Sequence, residues 1–394
     1  MSHFADAISA TNENRAVKGW RVLHACETLD RASGLVEAQT GVGMNPQVLS
    51  RDFWSTIPQE PLSLMNAWHD VRDWRHALND AEALWSPQVL HAHSFAAAMA
   101  GVRGSLPAVY DFSETLDEVA SQQSNSGSWL VRSFRVAEQF ALGRASAVVA
   151  HSAGMKNMAH ERGAAEANIF AVPEPCSAER LSLDALWTTE HGIDIGYDSV
   201  LYAAADAAGI ECALRGFATI TEELERAVLV FESDNPDRGE VVRLARQFGI
   251  ADCIRCIPSS ERALGMACAS VVIVPPSGDA GGRANAAMLM AMAAGKAVVA
   301  ADVPENRECS EDGRGCVWYR GEDAMDLAQR ASFVARNEDF SRSLGESGRG
   351  HIELTRAPQV IARKYDEVYR HAVSRRTETT PKIPVPKMYA LRTT

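Results

Sequence analysis

Asp279 and the pair Gly281-Gly282 open the segment "DAGGRANAAMLMAMAAGKAVVAAD", residues 279–302. Glycines ahead of a helix, with a strand after it, commonly make a loop that holds a ligand on backbone N–H groups. Here the helical part is apolar and carries Met288, Met290 and Met292, Gly295 stops it, and Lys296 leads into the short run 297–300. No glutamate occurs between Glu261 and Glu305. The segment has the frame of a binding loop and few of the charged groups that would use it.

Two further patterns bear on chemistry. Cys253-Ile-Arg-Cys256 has the spacing of half a zinc site, but no second such pair exists, and the eight cysteines are scattered as reduced core thiols would be. His91-Ala-His93 puts two imidazoles on one face of a strand end. No acidic or histidine partner is spaced in the sequence to join them, so no metal and no cofactor is expected.

The elements that must position these groups alternate. Short β-rich runs fall at 21–25, 47–49, 89–91, 108–111, 147–151 and 169–172, with helical spacing over 64–78, 126–142 and 152–162. Strands at 200–203, 227–231, 253–257, 271–274, 297–300 and 316–319 then restart the pattern, with helices at 208–224, 237–248, 283–294 and 322–336. Residues 174–198 carry neither period and read as a link. The expectation is an α/β protein of two Rossmann-like domains, 1–178 and 179–353, facing each other across a cleft, with a helix at 354–373 returning to the first domain.

Composition narrows the partners. A chain of 394 residues with 46% apolar residues and a net charge of −12 is globular, and the acidic balance argues against nucleic acid. No apolar run reaches the roughly 18 residues of a membrane span. The first 20 residues lack a signal-type apolar core, so a cytoplasmic location is expected. The stretch from Arg370 holds six basic residues against one acid. Residues 374–394 read as a basic, Pro-containing tail able to lie along a domain or partner, anchored by Ile383, Val385, Met388 and Tyr389, or to meet a membrane surface peripherally.

Five segments in order resemble the GT-B glycosyltransferases of family four, which transfer a sugar from a nucleotide-sugar donor with retention. They are "PQVLHAHSFAAAMAG", "LPAVYDFSETLDE", "ASAVVAHSAGMKNMAHERG", "VLVFESDNPDRGEVVRLARQFGIADCIRCIP" and "LMAMAAGKAVVAADVPENRECSEDGRGCVW". The last is similar to the family's "LEAMAAGkPVVatdvggipEli" run, the fourth to its "lvivGdGper" run. The resemblance implies an Arg and a Lys against the donor diphosphate in a "GR…KG" segment, a glutamate on the ribose, a second acid eight residues earlier near the sugar, and a first-domain loop histidine.

Carried over position by position, these contacts are missing. The ribose glutamate falls on Met290 and the earlier acid on Gly282, or on Asp279 if three residues are inserted. The Arg and Lys become Ala203 and Ala208, leaving Gly209; the loop histidine becomes Ser113, and a customary asparagine is Glu174. No Lys or Arg lies between Arg180 and Arg215. The first domain's "SGLVE", with Gly34, resembles the family's "GGvE", but about seven residues separate Glu37 from Gly43-Met44. That spacing predicts a helix of about two turns and a trimmed acceptor side.

The resulting expectation is a non-catalytic binding or scaffolding subunit in glycan or glycoconjugate biosynthesis, paired with an active glycosyltransferase or another glycan-assembly protein. The alternative is an active retaining enzyme that uses Asp279, the Gly281-Gly282 backbone, Ser113 and His93, with a nucleotide-sugar donor, a glycan or glycoconjugate acceptor and no metal.

Overall fold

The computed structural model describes residues 19–27, 30–50, 64–113, 128–177, 181, 184–193, 199–204, 209–232, 238–276, 285–310 and 313–379. Within these, the apolar runs form two six-stranded sheets. The first contains β1 (Arg21–Cys26), β2 (Asn45–Ser50), β3 (Val89–Ala92), β4 (Ala108–Phe112), β5 (Ala147–Ala150) and β6 (Ile169–Ala171), in the order β2-β1-β3-β4-β5-β6. The second contains β7 (Ser199–Ala204), β8 (Ala227–Glu232), β9 (Ile254–Ile257), β10 (Val271–Val274), β11 (Ala297–Ala301) and β12 (Cys316–Tyr319), in the order β12-β11-β10-β7-β8-β9.

Strands such as Val-Val-Ile-Val in β10 are buried along their whole length, as parallel strands covered on both faces must be. In each sheet the chain leaves the first strand toward one edge and returns on its other side. The order therefore reverses between β1 and β3 and between β7 and β10. Doubly wound sheets bind ligands at the carboxyl ends of strands beside such reversals.

The chain divides into two compact units. One comprises residues 1–149, 159–170 and 365–394, the other 150–158 and 171–364. In the second, helix Ile210–Glu223 buries Ile210, Ala213, Leu214, Phe217 and Ile220 on one stripe, and helix Ala286–Ala293 is buried nearly all round. Asn285 caps the latter through a 3.2 Å bond from the Met288 N–H. Gly295 then ends it with φ +73. Helix Glu338–Thr355 lies so close that a Cβ on Gly345 would stand 2.0 Å from the Gly295 carbonyl oxygen, and one on Gly315 2.0 Å from the Gly348 Cα.

Three expectations need correction. The helix after β1 runs Asp30–Gly41, 12 residues, because it starts well before Glu37 and buries Ala32, Leu35, Ala38 and Gln39. The inferred trimming of the acceptor side falls with it. The link at 174–198 contains helix Ala185–Glu190, whose cap Asp184 accepts from the Leu186 and Trp187 N–H groups while Trp187 packs in the second unit's core. The last helix runs Pro358–Thr379: it starts later than 354 because the preceding helix ends at Thr355 and Pro358 opens the new one, and it continues past 373 since no proline or glycine interrupts it before Pro381. The tail anchors Ile383, Val385, Met388 and Tyr389 lie outside the described residues. Among the described residues no helix is long and apolar enough to cross a membrane.

Candidate functional site

A dense polar constellation lies in the first unit, at the reversal between β1 and β3. Register pairs His24 of β1 with His91 of β3, and Ala92 with Tyr110 of β4, which brings His93 beside Asp111. Alternation sends these side chains to one face of the sheet. Helix Asp30–Gly41 adds Gln39, and the last helix adds Tyr365 and Tyr369. His24 and His91 are fully buried, His93 is 6% exposed and Asp111 8%.

The hydrogen bonds form a chain. His24 Nε2 and Gln39 Oε1 are 2.9 Å apart, and only the imidazole can donate there. Gln39 Nε2 donates to the Tyr369 hydroxyl at 2.8 Å, and that hydroxyl lies 3.0 Å from His91 Nδ1. His24 Nδ1 meets His93 Nε2 at 2.9 Å, and His93 Nδ1 meets Asp111 Oδ2 at 2.9 Å. His91 Nε2 stands 3.9 Å from the same carboxylate oxygen.

Burial, reinforced by His93, pushes the His24 pKa down to about 3, so this ring is neutral at physiological pH. With its proton on Nε2, His24 accepts at Nδ1 and His93 donates from Nε2. One ring nitrogen from each of His24, His91 and His93 lies within 4.8 Å of the others, a grouping with the donor set of a divalent-metal site. The sequence expectation that nothing joins the His91/His93 pair is therefore wrong. Its partners come from neighbouring strands and were invisible to sequence spacing. The available signal was a histidine inside the apolar run "RVLHAC".

In the second unit the carboxyl end of β8 carries Glu232, 6% exposed. Arg262 grips both of its oxygens, through Nε at 2.8 Å and through Nη2, while Ser259 donates at 2.8 Å and the Tyr202 hydroxyl donates as well. Burial alone would raise the Glu232 pKa. The bonds from Arg262, Tyr202 and Ser259 outweigh it and hold the carboxyl below its usual range. Lys296 is spent similarly: its Nζ donates to the carbonyls of Ala267 (2.7 Å) and Ala269 (3.0 Å), and burial lowers its pKa.

The positions singled out from the sequence are dispersed. His93 sits in the histidine constellation, and Ser113 is half-buried just after β4. Gly34 is exposed on helix Asp30–Gly41, and Glu174 is exposed. Ala203 is fully buried in β7, inside the core cluster with Ile210 and Phe231. Gly209 precedes helix Ile210–Glu223, whose start has no side-chain cap. Met290 is half-buried against the core on the opposite face of the second sheet. Ala208, Asp279, Gly281 and Gly282 lie outside the described residues. Sequence reasoning missed His24, Gln39, Asp111 and Tyr369 in one unit and Tyr202, Glu232, Ser259 and Arg262 in the other.

Comparison with known proteins gives a consistent picture. The profile of the glycosyl transferase 4-like domain matches residues 14–175, and that of glycosyl transferases group 1 matches residues 195–337. No curated protein matches the chain by sequence. Among solved structures, the chain is similar to a sucrose-phosphate synthase from Thermosynechococcus elongatus, with TM-score 0.66, 14% identity, and coverage of 90% of this chain and 99% of that one. It is also similar to a glycosyltransferase from Rickettsia africae ESF-5 (TM-score 0.66, 12% identity, 90% and 99% covered). Anabaena Alr3699/HepE, solved in complex with UDP-glucose, gives TM-score 0.62 at 12% identity, with 89% and 100% covered. At these identities the likeness speaks for the fold.

Proposed function

Given that the chain belongs to the GT-B glycosyltransferases of the group 1/4 type, we propose that it is a non-catalytic member, a binding or scaffolding subunit in glycan or glycoconjugate assembly. The observation that carries this is the state of the charged groups near the second sheet's carboxyl ends. A donor diphosphate needs cations that remain available to it. Arg262 is committed to Glu232, which stands where the resembled "lvivGdG" run has a glycine; Lys296 lies at the opposite, amino end of the sheet, just before β11, where two backbone carbonyls hold it. Ala203, at the expected arginine position, faces the core. Met290, at the expected ribose-binding position, offers no useful acceptor. The natural partners on this reading are an active glycosyltransferase or a glycoconjugate.

Calorimetry and thermal shift with UDP, GDP and UDP-glucose test it. A ligand present at 100 times its Kd stabilises the folded state by about 2.7 kcal/mol. The expected result is no heat of binding and no shift at millimolar nucleotide. A saturable shift would end the proposal.

Two observations favour the alternative, an active retaining glycosyltransferase with rearranged contacts. His93 and Asp111 form a hydrogen-bonded pair at strand ends in the first unit, and the helix start at Gly209 is uncapped. On that reading Asp279→Asn abolishes sugar transfer without lowering the Tm, and full activity in that variant removes Asp279 from the mechanism.

A further inference from the structure

We propose that His24, His91 and His93 form a binding site for one divalent transition-metal ion in the first unit, with zinc as its simplest occupant. Three buried imidazoles from two adjacent strands bring ring nitrogens within 4.8 Å of one another. Each ring is also held at its other nitrogen: His24 Nε2 by Gln39, His93 Nδ1 by Asp111, and His91 Nδ1 by the Tyr369 hydroxyl. Metal-ligating histidines are oriented in just this way, with a carboxylate, carbonyl or hydroxyl fixing the tautomer and turning the second nitrogen toward the ion.

The 2.9 Å contact between His24 Nδ1 and His93 Nε2 holds one proton, and the 2.9 Å contact between His93 Nδ1 and Asp111 Oδ2 holds a second, which stays in place; only the first is displaced. The ion replaces that proton, which leaves to solvent, and each nitrogen turns its lone pair to the metal. Ligation at about 2.0–2.1 Å asks these two nitrogens to part slightly and His91 to swing inward. The Asp111 carboxylate stays in hydrogen-bond contact with His93 and offsets part of the ion's charge. His93 and Asp111 are the members that reach the surface, so the ion enters on their side. Three protein ligands leave a fourth position for water or a ligand atom, as in zinc sites that do chemistry. This inference is independent of whether the second unit binds a nucleotide sugar.

The test uses the full chain without a histidine tag, stripped with chelator and then dialysed against Zn²⁺ or Co²⁺ alone. The expected result is one equivalent bound, a tetrahedral Co²⁺ visible spectrum without a thiolate charge-transfer band, and a Tm raised by Zn²⁺. His24→Gln should abolish the bound equivalent. Should that buried change prevent folding, Asp111→Asn keeps all three ligands and should weaken binding 10- to 100-fold, the usual effect of losing such a support. The proposal is overturned by less than one equivalent on folded wild-type chain, by a thiolate band placing the ion on cysteines, or by unchanged affinity in folded Asp111→Asn.

Discussion

Replacing Arg262 with Met tests the view that the end of β8 is a closed electrostatic unit. The guanidinium makes two charge-assisted bonds to a buried carboxylate, while the Arg262 side chain itself is 28% exposed. Removing one partner of a fully buried pair costs about 3–5 kcal/mol, most of it the penalty of stranding the other charge. Partial exposure of Arg262, and the two hydroxyl donors that remain on Glu232, reduce the expected cost to about 2–3 kcal/mol. The pH dependence provides a second signature. In the native chain the Glu232 carboxyl lies below its ordinary value, 4.5. Its contribution is therefore complete above the unfolded pKa and is lost as pH falls through the folded one. In the variant burial is no longer outweighed by the guanidinium, the folded pKa rises, and protonation relieves the penalty. The stability gap between the two proteins should be widest at pH 7 and narrow as pH falls through the variant's raised pKa toward the lowered native one. Urea denaturation of both chains at pH 7 and pH 4, followed by circular dichroism, measures it. A gap under about 1 kcal/mol at pH 7, or one that does not narrow in acid, would show that the pair is not the unit described.

Further outcomes follow from the packing. Gly345→Ala should cost about 2–4 kcal/mol, because its Cβ meets the Gly295 carbonyl oxygen at 2.0 Å and backbone cannot rotate aside; a native Tm would contradict that contact. Ala203→Arg should fail to fold or lose several kcal/mol, since it forces a guanidinium into an apolar core, and it should bring no gain in nucleotide affinity. Wild-type stability with new UDP binding would instead place Ala203 at an open site. Deletion of 381–394 is expected to change the Tm or the oligomeric mass measured by light scattering; if neither moves, the tail is a free arm.

Much of the fold was legible because parallel strands buried on both faces are written as unbroken apolar runs, and each predicted run falls on an observed strand. The family likeness was legible for a related reason, since its segments are strands, turns and buried helix faces. Helix starts were less visible. Counting from Glu37 points to about two turns, whereas the helix begins at Asp30. The constellation around His93 was legible only in part. His24 and Asp111 lie 69 and 18 residues away, and Tyr369 enters from the far end of the chain through its bond to His91, so only register and tertiary packing assemble them. The Glu232–Arg262 pair escaped notice because spacing of 30 residues between unlike charges has no local meaning.

The contact of helix Glu338–Thr355 with the turns at Gly295 and Gly315 has a consequence for how this chain's ancestry is read. Two backbones touch there without side chains between them, so any residue larger than glycine at Gly345 wedges the seam open. That demand is purely steric and indifferent to whether a sugar is ever transferred nearby. The "AMAAG" wording, the most recognisable part of the likeness, is thus a joint in the scaffold. A protein built on this joint keeps that wording for steric reasons, whether or not the loop beside it ever addresses a donor, because the spelling records how the pieces are bolted together.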